Sequence, residues 1–79
     1  MRDVVAYLAR SLVDEPDRVT VAELEGVRGL VYEVRAAPTD VGKLIGRGGR
    51  TVRALRRVVR AVGQREGRRV ELEVLAEDE

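Results

Sequence analysis

Leu44-Ile45-Gly46-Arg47-Gly48-Gly49-Arg50-Thr51-Val52 is the stretch on which the reading of this chain turns. An apolar pair runs into three glycines interrupted by one arginine, and a regular pattern resumes at Arg50. At about 100° per residue, Val52, Leu55, Val58, Val59 and Val62 share one arc of about 120°, and Arg50, Arg53, Arg56, Arg57 and Arg60 share the opposite one. A long helix is expected from Arg50 to about Arg65, with Gly67 at the left-handed position that closes helices. Upstream, Pro38 breaks the chain, and Thr39 or Asp40 can cap a short helix reaching Leu44. The nonapeptide is therefore a glycine loop between two helices. Without a Cβ in the way, its backbone N–H groups can approach a phosphate closely. The start of the next helix adds free donors and a positive dipole end. Arg47 and Arg50 add guanidinium forks suited to phosphate, and Lys43 stands one turn before the loop. A sugar–phosphate backbone is the ligand these features point to.

Working outward, Val4, Val5, Leu8, Ala9 and Leu12 recur at helical spacing, so residues 3–13 read as an amphipathic helix ended by Asp14-Glu15-Pro16. The stretch 19–25 reads as a strand whose alternation changes phase between Val21 and Ala22, the signature of a bulge. Turn residues from Glu25 to Gly29 follow. Leu30, Tyr32, Val34 and Ala36 then alternate with Val31, Glu33 and Arg35, giving a second strand that pairs antiparallel with the first. A last strand spans Val70-Glu71-Leu72-Glu73-Val74, and the acidic tail 76–79 is expected to fray. With no internal repeat or linker, residues 1–79 form one α+β domain. Its order is α-β-β-α-α-β, with helices packed on one face of a three-stranded sheet.

Seventy-nine residues with two Tyr and neither Phe nor Trp allow only a thin aliphatic core. The absence of Cys and His removes disulfides, thiolate metal sites and the commonest general base, so no enzyme activity, metal or cofactor is expected. The apolar run 4–13 is too short and too charged for a signal or a membrane span, which places the chain in the cytoplasm with no membrane partner. Its net charge of +1 conceals segregation. Residues 1–41 hold five Arg against eight acids, residues 42–69 hold Lys43 and nine Arg against Glu66, and residues 70–79 hold five acids and no base, for net charges of −3, +9 and −5. An ordinary solvated helix face mixes both signs. Like charges one turn apart cost about a few tenths of a kcal/mol per pair, so the arginine face points to an anionic partner.

Nucleotide-binding motifs fit less well. A phosphate-binding P-loop needs a glycine five positions before its Gly-Lys-Ser/Thr, but Leu44 stands there and Arg50 replaces the lysine. The dinucleotide pattern fails at Thr51. A helix-hairpin-helix that grips DNA backbone shares Gly46-Arg47-Gly48. It usually carries an apolar residue where Arg47 stands, and it lacks the three strands.

The nonapeptide resembles the KH motif, an I-G-x-x-G loop between two helices with an apolar residue three places on. The element order resembles the type II, prokaryotic KH fold, so the resemblance covers nearly the whole chain. More narrowly, Tyr7-Leu8-Ala9, Leu12-Val13-Asp14-Glu15-Pro16, the stretch from Val41 to Gly46 and the terminal Val/Glu strand resemble the small bacterial stand-alone KH proteins of the KhpA type. That resemblance implies binding of single-stranded RNA, with about four nucleotides clamped by the loop. Gly46 and Gly49 would allow close backbone approach, and Arg47 and Gly48 would be the variable pair facing the phosphates. Lys43, Arg50 and Arg53 would add basic contacts. Ile45, Val41 and Val52 would line the apolar side of a base groove, and strand residues near Val31 to Arg35 would meet base edges. A scarcity of aromatics fits such a groove better than a stacking platform. Gly48 departs from the family pattern, where a side chain is common. The resemblance also implies a homodimer, or pairing with a larger KH-containing protein, in RNA-level regulation and cell-envelope growth.

Overall fold

The computed structural model describes residues 1–78. Its central element is strand β2 (Gly29–Ala36), hydrogen-bonded on both sides in the order β1-β2-β3. β1 (Thr20–Gly26) runs antiparallel to β2, and β3 (Val70–Ala76) runs parallel to it. A parallel neighbour cannot be reached by a hairpin. The chain must cross over one face, and here it does so as two helices, α2 (Pro38–Ile45) and α3 (Arg50–Arg65). The glycine loop is the apex of that crossover. α1 (Arg2–Leu12) packs on the same face against β1 and β2.

The strict alternation of β2 produces this layering. Leu30, Tyr32, Val34 and Ala36 are buried under the helices, whereas Val31, Glu33 and Arg35 lie on the face that no helix covers. Val5 and Ala9 of α1, Leu44 of α2, Val52, Leu55 and Val59 of α3, and Val70 and Leu72 of β3 complete one aliphatic core. α1 is turned slightly from the expected face: Ala6 is buried, while Val4 and Leu12 stay substantially exposed. Likewise Val58 of α3 is exposed and Gly63 takes a buried place. Among the described residues, no helix is long and apolar enough to cross a membrane.

Two expectations need correction. No bulge interrupts β1, since Val21 pairs with Val34 and Ala22 with Glu33 in unbroken register. The phase change arises because β1 is an edge strand: its helix-side residues Glu23 and Glu25 lie exposed, so no alternation is demanded of them. Neither Thr39 nor Asp40 caps α2, which starts at Pro38, whose missing N–H costs nothing at that position. β3 continues to Ala76, the Glu77 N–H donates to the Ala36 carbonyl at 2.8 Å, Glu77 pairs with Arg18, and Asp78 lies 3.4 Å from Arg35. Glu79 lies outside the described residues.

Gly63 sets how closely α3 approaches β3. A Cβ there would overlap the Val70 side chain and stand 2.9 Å from the Arg68 carbonyl oxygen. Gly63→Ala is expected to cost about 1–3 kcal/mol by overpacking, seen as a melting temperature lower by about 5–15 °C in thermal circular dichroism. A melting curve matching the wild type would mean that α3 can shift outward without loss.

Candidate nucleic-acid interface

The loop owes its shape to glycine at its two ends. Gly46 (φ 76°) donates its N–H to the Gly42 carbonyl at 2.9 Å, and a Cβ at this position would run into the Thr51 side chain. Gly49 (φ 79°) donates to the Gly46 carbonyl at 3.0 Å and stands, left-handed, as the residue before α3. No side chain caps the start of α3, and its first amide, the Arg50 N–H, turns back to the Arg47 carbonyl. From the first turn of that helix, Arg53 reaches back and donates through Nη1 to the Gly48 carbonyl at 2.9 Å. Arg53 therefore braces the loop. Arg47 and Arg50 are exposed beside it and make no ion pair among the described residues.

Lys43 is placed differently from those two arginines. Its Nζ lies 2.8 Å from Asp14 and 3.4 Å from Asp40. Asp40, 1 % exposed, is the sole buried charged side chain of the described residues, and its oxygens accept the backbone N–H groups of Asp14 (3.2 Å) and Glu15 (3.0 Å). This knot fastens the chain after α1 to the middle of α2, one turn before the loop. Burial alone would push the Asp40 carboxyl up. The two backbone donors and Lys43 outweigh it and hold the pKa below the ordinary aspartate value. The Asp14 hydrogen bond is the main reason that Lys43 is held above its ordinary value. The spacing of Asp40 and Lys43 on one helix was visible in the sequence; their partner Asp14, far away along the chain, carried no such signal.

Of the expected groove residues, Val41 and Ile45 are half-buried, Ile45 packed against the core. Val52 is 5 % exposed and belongs to the core itself, so it supports the site from beneath and offers no surface to a base. The strand expected to meet base edges, near Val31 to Arg35, is the central one of the sheet. Val31, Glu33 and Arg35 face away from the helices, and Glu33 and Arg35 are paired to each other at 2.9 Å. The strand with a free edge beside the α2–α3 pair is β3. Because Arg69 and Ala36 carbonyls are used in pairing with Leu30 and Glu77, odd-numbered residues of β3 direct their backbone groups toward β2, and Leu72 and Val74 direct theirs outward. Two arginines of α3 lie along this edge. Arg56 Nε donates to the Leu72 carbonyl at 3.1 Å, and Arg60 holds the Glu71 carboxylate at 2.8 Å. Arg57 is exposed without a partner among the described residues. The geometry thus assembles a glycine loop with two unpaired arginines, an uncapped helix start, an apolar rim and a strand edge with outward polar groups.

A family model described as KhpA/KhpB, KH domain, matches residues 2–74. This chain belongs to the KhpA/KhpB family of KH domains. It is 45 % identical over 75 residues to the RNA-binding protein KhpA of Aquifex aeolicus, covering 95 % of each chain. It is 51 % identical over 72 residues to the protein of the same name from Streptomyces coelicolor, covering 91 % of this chain and 90 % of that one. For the Chlamydia pneumoniae RNA-binding protein KhpA the figures are 39 % over 77 residues, 98 % and 99 %. The α-β-β-α-α-β order with a mixed three-stranded sheet is consistent with this KH fold.

The Asp40 knot makes stability depend on pH in a defined sense. A depressed carboxylate pKa contributes stability above the unfolded value and loses it as pH falls through the folded one; the raised pKa of Lys43 contributes below its unfolded value and is lost as pH rises through the folded one. Thermal stability is expected to be level through neutrality and to fall below about pH 4. Asp40→Asn should lower the neutral melting temperature and flatten the acid limb. Melting curves from about pH 2 to 7 check this, and an acid limb equally steep in the variant would assign it to other carboxylates.

Proposed function

We propose that this KH domain binds single-stranded RNA by clamping its backbone at Gly46-Arg47-Gly48-Gly49, as part of post-transcriptional regulation. The single observation that carries the reading is the pairing of a glycine loop at an uncapped helix start with Arg47 and Arg50, both exposed and unpaired among the described residues. The relatives' shared name, RNA-binding protein KhpA, supports RNA as the ligand. Phosphate oxygens would lie against the glycine loop and the positive end of α3, with the two guanidinium groups as charged partners. Lys43 would act mainly by fastening α2, and Arg53 by holding the loop. Bases would then fall between the rim at Ile45 and the edge of β3.

If about four phosphates are neutralised, log affinity should fall against log salt with a slope near −3, at about −0.7 per contact for single strands. The decisive comparison is fluorescence anisotropy of labelled random single-stranded RNA with wild type and with Arg47→Asp/Gly48→Asp. A Cβ at Gly48 meets nothing within 4 Å, and Asp tolerates a left-handed backbone better than most residues, so the variant should fold. Binding lost in the variant alone supports the clamp; equal binding by both excludes the loop.

A second reading, protein pairing, is favoured by one observation. A shallow groove of about 420 Å³ between α1 and α3 is lined by Leu8, Leu12, Thr51, Ala54 and Val58, with Arg50 at its rim. Leu12 and Val58 are 43 % and 42 % exposed, which is high for apolar residues that share a groove. A second copy, or a larger KH-containing partner, could cover it. Val58→Glu should then reduce the mass measured by light scattering to that of a monomer at concentrations where the wild type associates. Because Arg50 borders both surfaces, saturating RNA should also reduce association; a dimer mass unaffected by RNA would separate the two surfaces.

A further inference from the structure

Arg56 does something that a phosphate-binding arginine would not. Its Nε is spent on the outward carbonyl of Leu72, 3.1 Å away, in a half-buried contact. On a strand edge, the carbonyl of one residue and the N–H of the residue two further on form an adjacent acceptor–donor pair. On β3 that pair is the Leu72 C=O and the Val74 N–H, both directed away from β2. Left bare, it would match a base edge offering one donor and one acceptor, as the N6 amino group and N7 of adenine do. With Arg56 in place the acceptor is covered, and the terminal Nη groups of the guanidinium have no hydrogen-bond partner among the described residues.

The position of this pair relative to the loop follows from the packing. Gly63 of α3 lies against Val70 and Arg56 against Leu72, so α3 runs antiparallel to β3 and its loop end lies toward Val74. Further down the edge, Arg60 reaches to Glu71 on the helix-free face through Nε (3.1 Å) and Nη2 (2.8 Å). On the loop side of Arg60 the edge therefore carries the Leu72 carbonyl, covered by Arg56, and the outward backbone groups of Val74.

We propose that Arg56 is a specificity-determining residue that converts an adenine-type edge into one for guanine, whose O6 and N7 are both acceptors. Arginine donors facing O6 and N7 are the commonest specific contact to a base, and in single-stranded RNA that edge is open to view. The inference rests on the RNA-clamp reading and adds to it the identity of one base.

Three labelled uridine octanucleotides test it: one all-uridine, one with a single central guanine, one with a single central adenine. Wild-type protein should bind the guanine oligomer at least about fivefold more tightly than the adenine one. Arg56→Met, which keeps the aliphatic stem and loses the donors, should remove or invert that preference while affinity for the all-uridine oligomer changes little. Arg56→Lys should also lose the preference, with the salt dependence of binding retained. Circular dichroism establishes that each variant folds. A guanine preference unchanged in Arg56→Met overturns the assignment, as does a wild type indifferent to the three oligomers. Equal weakening for all three with a shallower salt slope overturns it too, since Arg56 would then be a backbone contact. If the wild type binds none of them, the RNA reading itself falls and takes this inference with it.

Discussion

Because β3 lies parallel to β2, the chain between Ala36 and Val70 has to leave the sheet, turn over its face and come back in the same direction. Everything functional is built on that requirement. The return path is divided into two helices, and the break between them is where the glycines sit. Both helices are anchored by core residues, Leu44 on one side and Val52, Leu55 and Val59 on the other. A loop held at both ends by buried side chains presents its amides in one arrangement before any ligand arrives, which reduces the ordering cost of binding.

Charge on this surface is less uniform than a count of arginines indicates. Arg53 is engaged with a loop carbonyl, Arg56 with a strand carbonyl, Arg60 with Glu71 and Lys43 with two aspartates. Arg47, Arg50 and Arg57 remain without such partners among the described residues. The long stems of the engaged arginines cover apolar surface while their heads satisfy polar groups, so their contribution is structural as well as electrostatic. Arg47 and Arg50 thus leave unpaired positive charge beside the loop.

Periodicity made most of the fold legible. The alternation in β2 and the two opposed arcs of α3 each had one interpretation, and both elements lie close to where the sequence puts them. The site was legible as far as its local chemistry went: three glycines before a helix are visible in any window that contains them. What the sequence did not reveal depends on contacts distant along the chain. Alternation in Val70–Val74 is the same whether the strand pairs parallel or antiparallel, or sits at an edge or in the centre, so nothing local distinguishes it from Val31–Arg35 as the strand beside the α2–α3 pair. Asp40 looked like a helix cap because Asp at a helix start usually is one; its amide donors come from Asp14 and Glu15, brought there by the fold. Val52 looked like a groove residue because the helix arc that holds it cannot say how deep that arc is buried.

The arrangement along β3 also bears on how the folded chain behaves in a crowd. An uncovered strand edge is a template on which another chain can lay a strand of its own, the first step toward domain exchange or fibres. Arg56 fills the Leu72 carbonyl, and Arg60 reaches to Glu71 beyond it, so a passing strand meets two bulky cations where it would need a row of free amides. At the other border of the sheet, Glu23 and Glu25 of β1, paired with Arg2 and Arg68, put exposed charged side chains beside the free strand. A domain with so thin a core is thus guarded against sheet growth at both borders by side chains that carry no part of that core.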